Sequence, residues 1–242
     1  MIYHSSIGEF MRPIFIFLAL IVFTFAADAQ TQKSDKSTAK DLRDAVKRVD
    51  KASDVLEQVM KINEKSIPRD LLIKAKAVVI FPGSLKFSFI VGGQGGHGVA
   101  VKRVGTGWSA PAFVNMGGGS FGAQIGGQKT DYILLIMNDN GLKGLLEDKF
   151  ELGGEGSVSA GPVGRTAAAS TNATMDAEIL TYSRSKGLFA GIAIKGVVIT
   201  SDKDINQTVY QKTTKEILGS NPLPSTEAPA SLQKLAETLE NY

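Results

Sequence analysis

The chain has 242 residues, 43% hydrophobic and 21% charged, with 27 Lys and Arg against 24 Asp and Glu, a globular composition whose slight positive excess predicts no nucleic-acid partner. Cysteine is absent, which excludes disulfides, Cys-ligated zinc, iron–sulfur clusters, thiol catalysis and a lipidated cysteine. Histidine occurs only as His4 and His97, too few for a metal site built on imidazoles.

Pro13 to Ala27 (PIFIFLALIVFTFAA) is apolar apart from Thr24, follows Arg12 and leads into the small residues of Ala27-Asp28-Ala29. Residues 1–29 therefore read as a secretory signal peptide, since the apolar run is shorter than the about 20 residues that cross a bilayer. Met11 followed by Arg12 makes an alternative start. The expected location is exported, periplasmic or secreted, with peripheral membrane association. Removal of the leader leaves a mildly basic chain with His97 as its one histidine.

Residues 30–39 (QTQKSDKSTA) are polar and without periodicity, a disordered lead-in. From Lys40 to Met60, Leu42, Ala45, Val46, Val49, Ala52, Leu56, Val59 and Met60 recur at three- and four-residue steps, one face of a helix. The opposite face carries Lys40, Arg43, Lys47 and Lys51, with Arg48 at the flank and Asp41, Asp44 and Asp50 diluting the positive field. A short helix is expected to begin at Pro68.

From Val78 onward the texture changes: 24 of the 26 glycines fall between Gly83 and Gly196, separating short β-branched and aromatic runs. Strands are expected at Val78–Phe81, Lys86–Val91, Gly98–Val104, Ala112–Met116, Ser120–Gly126, Tyr132–Met137, Ser157–Gly161, Ile179–Ser183, Leu188–Ile194 and Val197–Thr200. A helix capped by Asp139 spans Asn140–Asp148, and another runs from Asp202 to about Leu218. Asn221–Pro229 (NPLPSTEAP), with three prolines, is expected to be a linker. Leu232, Leu235 and Leu239 then mark a C-terminal helix within residues 230–242. The fold class is α+β: a glycine-rich, twisted, barrel-like antiparallel sheet packed by amphipathic helices, with one domain over residues 40–220.

The motifs that suggest catalysis fail on context. Gly93–Gly98 and Gly117–Gly122 fit G-x-G-x-x-G, but each continues into strand-like sequence where a dinucleotide fingerprint opens a helix. Gly118–Gly122 also fits G-x-S-x-G, and Ser120, His97 and Asp131 are the residues of a remote serine-hydrolase alternative. A nucleophile elbow, however, needs a strand, a strained turn and a helix, so His97 reads instead as a strand-edge or turn residue. The pairs Glu147/Asp148 and Glu151/Glu155 lie in a loop-like stretch without a sugar platform. Trp108, after the turn Gly105-Thr106-Gly107, reads as a hairpin cap. No pattern calls for a cofactor or a metal.

Four runs in order carry a resemblance: Gly107-Trp108-Ser109-Ala110-Pro111; Gly122-Ala123-Gln124-Ile125-Gly126 leading to Thr130-Asp131; Ser159-Ala160-Gly161-Pro162-Val163-Gly164-Arg165; and Tyr182-Ser183-Arg184-Ser185-Lys186-Gly187-Leu188-Phe189-Ala190-Gly191. Over about Lys40 to Leu218 the chain closely resembles the SYLF-domain family. The resemblance implies a non-enzymatic lipid-binding domain, with phosphoinositide binding in eukaryotic members and actin-filament binding in yeast-type ones. In some eukaryotic members an N-terminal amphipathic helix contributes to membrane contact, and Lys40–Met60 is the matching element. This chain carries an export signal and no SH3 or FYVE module, so anionic phospholipid is the expected partner. The expected contacts are Lys40, Arg43, Lys47, Arg48 and Lys51, each worth about 1 kcal/mol at an anionic surface. The alternative is a module that docks an envelope protein through its Gly-rich sheet edges or loops.

Overall fold

A computed structural model describes residues 37–62, 66–88, 91–121, 126–154, 157–164 and 177–242. The expected signal peptide, residues 1–29, lies outside the described residues. Helix α1 occupies residues 37–60, so its first turn begins inside the expected lead-in. Its apolar stripe is buried through Ala45, Val49, Ala52, Val55, Leu56 and Val59, and the larger of these side chains each contribute about 1.5–3 kcal/mol. A short helix, α2, follows at Arg69–Lys74, with Pro68 as its N-cap residue.

The centre of the molecule is a ten-stranded sheet curled into a half-barrel. Its strands are β1 (Ala77–Ser88), β2 (Val91–Val104), β3 (Gly107–Trp108), β4 (Ala112–Phe121) and β5 (Gly126–Ile136). After helix α3 (Asp139–Leu145) come β6 (Lys149–Leu152), β7 (Val158–Ala160), β8 (Ile179–Ser185), β9 (Leu188–Gly191) and β10 (Val197–Ser201). The main path runs β6-β10-β4-β2-β1-β5-β8-β7, with β3 on β2 and β9 on β8. The pairs are antiparallel except β7 with β8.

Several strands are longer than the hydrophobic pattern predicts, because stretches expected as glycine turns are strand. β1 runs through Pro82-Gly83, which form a bulge that shifts the register to β2 between Ile80 and Leu85 and to β5 between Phe81 and Ser84. The Gly93–Gly98 run lies wholly inside β2, where backbone pairing, not side-chain burial, holds the chain. Lys149–Leu152, expected as loop, is strand β6 and pairs with β10. The expected cap of α3 is displaced by one residue: Asn138 accepts the Gly141 N–H.

The single helix expected from Asp202 to Leu218 is two, α4 (Lys203–Tyr210) and α5 (Thr214–Leu218). Gln211, at φ 55°, takes the left-handed conformation that ends α4, and Thr213 with Glu216 forms the capping box that starts α5. Buried Asn206 locks α4 to β4: its side chain accepts from the Phe113 N–H at 2.8 Å and donates to the Phe113 carbonyl at 2.9 Å. The Phe113 carbonyl also accepts the Asp202 N–H at 3.0 Å, so the start of α4 is joined to β4 at one buried backbone position.

The expected linker is part of the domain. Ser109 bridges to Pro224, and the Ala110 N–H donates to the Leu223 carbonyl. Helix α6 (Lys234–Glu240) buries Leu235, Ala236 and Leu239 in the same apolar core as α1 and the sheet. The segment is held further by the Leu223 N–H on the Ile217 carbonyl and the Gln233 side chain on the Ala228 carbonyl, with a 3-10 turn at Ser225–Glu227 between them.

Candidate functional site

The charges of α1 divide into paired and free groups. Arg48 meets Asp202 at 2.7 Å, with the two side chains 15% and 12% exposed. This nearly buried pair holds α1 to the start of α4. Asp54 and Asp50 face Lys234 of α6 at 3.0 and 3.6 Å, and Asp41 accepts from the Thr208 hydroxyl. Lys40, Arg43, Lys47 and Lys51 are exposed and make no ion pair among the described residues. Four of the five expected contacts therefore form an open stripe, while Arg48 is engaged within the fold.

A cleft of about 680 Å³ opens between this helix and the sheet. One wall is α1, through Asp44, Lys47, Arg48 and Lys51. The other is the β1 bulge, where Pro82, Gly83 and Leu85 meet it, and the floor is Gly95, Gly96 and His97 of β2 with Asn115 and Met116 of β4. Gly96 of the floor is glycine for a steric reason: a Cβ there would lie 2.1 Å from Ser84 Oγ, at the bulge. His97 stands in β2 opposite Asn115 of β4, so the expected edge or turn position is corrected to an interior strand. Its imidazole is exposed, and Nδ1 lies 2.6 Å from Asn115 Oδ1.

The bulge is fixed from behind. The Gly83 N–H donates to Asp131 Oδ1 at 2.7 Å, Asp131 pairs with Arg184 at 2.7 Å, and Arg184 donates to Gln58 of α1. Bulge, sheet and helix are thus tied by one chain of charge-assisted bonds. Asp131 and Arg184 both belong to the recognised runs, and here they position the cleft wall.

The other motif residues also hold the fold. Trp108 is buried under the Arg103 guanidinium, 4.1 Å from its ring centroid, and Arg103 in turn donates to the carbonyls of Leu72 and Ala75 at the end of α2. Tyr182 stacks on Phe189 at 5.6 Å. Lys186 and Gly187, both at positive φ, make the β8–β9 hairpin turn. Arg165 and Glu155 lie outside the described residues. The G-x-S-x-G run makes no elbow: residues 118–121 are strand β4, and His97 opposes Asn115, five positions or about 16 Å from Ser120 along that strand.

A family model described as Las17-binding protein actin regulator, Ysc84, matches residues 117–242. The chain belongs to the Ysc84, or SYLF, family. LAS seventeen-binding protein 3 of Saccharomyces cerevisiae is 36% identical over 202 residues, covering 79% of this chain and 43% of the yeast protein. Protein YSC84 of the same yeast is 34% identical over 202 residues, with 79% and 42% covered. SH3 domain-containing YSC84-like protein 1 of Homo sapiens is 29% identical over 202 residues, with 79% and 57% covered. The chain thus spans about half the length of the curated relatives it matches. The family model reaches residue 242, in keeping with a C-terminal segment built into the domain.

The sequence pattern exposed the basic stripe but not the cleft. His97, Asn115 and the β1 bulge meet only through strand register, for which no local signal exists. Asp44, read as a diluting charge, is a cleft residue.

Proposed function

We propose that this protein is a binding module that associates reversibly with anionic phospholipid surfaces through the free cations of α1, without covalent chemistry. The observation that carries the reading is the stripe of Lys40, Arg43, Lys47 and Lys51, exposed and without an ion pair among the described residues, while Arg48 is paired within the fold. An apolar helix face buried against the core leaves the cationic face as the one presented outward. At about 1 kcal/mol per cation near the surface, four such groups support a weak, salt-sensitive attachment. Export, suggested by residues 1–29, is part of the same proposal.

The test is co-sedimentation of residues 30–242, which retain every described element, with phosphatidylglycerol and phosphatidylcholine vesicles. Binding is expected on the anionic vesicles alone. It is expected to fall steeply as salt shortens the screening length from about 10 Å at 0.1 M to about 3 Å at 1 M. Retention unchanged after Lys40, Arg43, Lys47 and Lys51 are all replaced by Glu would remove α1 from the mechanism.

The family description favours a second reading, a protein partner of the kind bound by the yeast relatives. A protein that co-purifies from lipid-free envelope extracts, and still does so with the charge-reversed stripe, would support it over the first.

A further inference from the structure

The cleft beside α1 is more specific than a charged surface requires. Lys47 and Lys51 line it without a partner among the described residues, whereas Arg48, on the same wall, already answers Asp202. Across from them, His97 is oriented by Asn115: a side-chain carbonyl oxygen only accepts, so the 2.6 Å contact places a proton on Nδ1. Nε2, on an exposed ring at the cleft floor, has no partner among the described residues. Leu85, 41% exposed, and Met116 supply an apolar side. Asp44 is the one carboxylate among the lining residues.

The geometry points to a phosphate-ester site in this cleft. The phosphate is held between the ammonium groups of Lys47 and Lys51 and the His97 imidazole, and Asp44 accepts from a hydroxyl of the same ligand. The ligand class is a hydroxylated phosphate ester, presented either as a phospholipid headgroup or as a soluble ester. An anionic oxygen at Nε2 is bound only when that nitrogen carries a proton, and Nδ1 keeps its contact with Asn115. The charged groups facing His97 are Asp44, Lys47, Arg48 and Lys51, all from α1; the β1 and β4 residues that line the cleft carry no charge. The inference rests on the surface-binding reading only for the source of the ester.

His97 is the one histidine of residues 30–242, so its imidazole signals in a proton–nitrogen NMR spectrum report the site without overlap. The probes are glycerol 1-phosphate, sodium chloride at equal ionic strength, and phosphatidylglycerol and phosphatidylcholine vesicles. Saturable movement of the His97 signals with glycerol phosphate and not with chloride is expected. Affinity should fall about tenfold in His97→Gln, the loss of one hydrogen bond to a charged group. Lys51→Gln should weaken binding while leaving the circular dichroism spectrum unchanged. If His97 responds to the soluble ester but the protein ignores both kinds of vesicle, the site stands with a soluble ligand and the membrane reading falls. If anionic vesicles bind while His97 stays silent to every probe and His97→Gln binds them as well as the parent, the cleft site is overturned and the surface stripe remains. Equal response to chloride, or no response and no vesicle binding, overturns the site.

Discussion

Gly161 faces Tyr182 so closely that a Cβ there would lie 2.0 Å from the ring's Cζ. Gly191, paired with Tyr182 across β8 and β9, brings backbone against Gly161 with as little room. Two recognised runs therefore interlock through an aromatic ring set on glycines, and no ligand is needed to explain them. Gly161→Ala is expected to cost about 1–3 kcal/mol, the range for overpacking a filled core, read as a lower urea midpoint with an unchanged slope. At the start of α5, Glu216 accepts from the Thr213 backbone N–H and from its hydroxyl, and both bonds hold its carboxyl below the ordinary value of 4.5. A depressed carboxyl stabilises the fold above that value and loses the contribution as pH falls through the folded one. The Glu216 carboxyl should titrate below 4.5 by NMR in the parent and move upward in Thr213→Val.

At the scale of elements, α1 and α6 close the same core from opposite ends of the chain. Lys234 reaches Asp50 and Asp54 on α1, but these are exposed ion pairs and contribute little. Burial dominates: Leu235 is fully enclosed, and Leu235→Ala is expected to cost about 2–5 kcal/mol, measured by chemical denaturation. Were 221–229 a free linker, the loss would be far smaller. The helix spacing of Leu232, Leu235 and Leu239 was legible because amphipathic helices announce their buried face locally. The docking of the preceding proline-rich segment was not, because its bonds to Ser109 and Ala110 join residues more than a hundred positions apart.

For the whole molecule, burial raises the phenols of Tyr182 and Tyr210, and also that of Tyr132, where a bond with Thr130 partly offsets it. A phenol whose folded value is raised stabilises the fold below its ordinary value near 10, and the contribution is lost as pH rises above that value. Of the five tyrosines, these three should resist ionisation in an absorbance titration until the protein unfolds, then ionise together with loss of the near-ultraviolet circular dichroism. Ionisation of all five near 10 with the fold intact would contradict their burial. Net charge matters less at this scale than its placement, because pairing withdraws Arg48, Asp50 and Asp54 and leaves the cationic stripe, with Asp44 beside it, along the cleft.

Local chemistry alone determined the α+β class, α1 from Lys40 to Met60, its basic face and the family, since helical periodicity, β-branched runs and short motifs are written in neighbouring residues. The glycine-rich stretches carried no such signal: with no side chains to alternate, their strand state rests on backbone pairing that only the assembled sheet supplies. Tertiary structure alone decided that Pro82-Gly83 is a bulge within β1, that His97 stands opposite Asn115, and that Arg48 spends its charge on Asp202. Each depends on strand register or on contacts between distant residues, and a shift of one residue along β2 or β4 would turn His97 and Asn115 to opposite faces and dissolve the cleft floor.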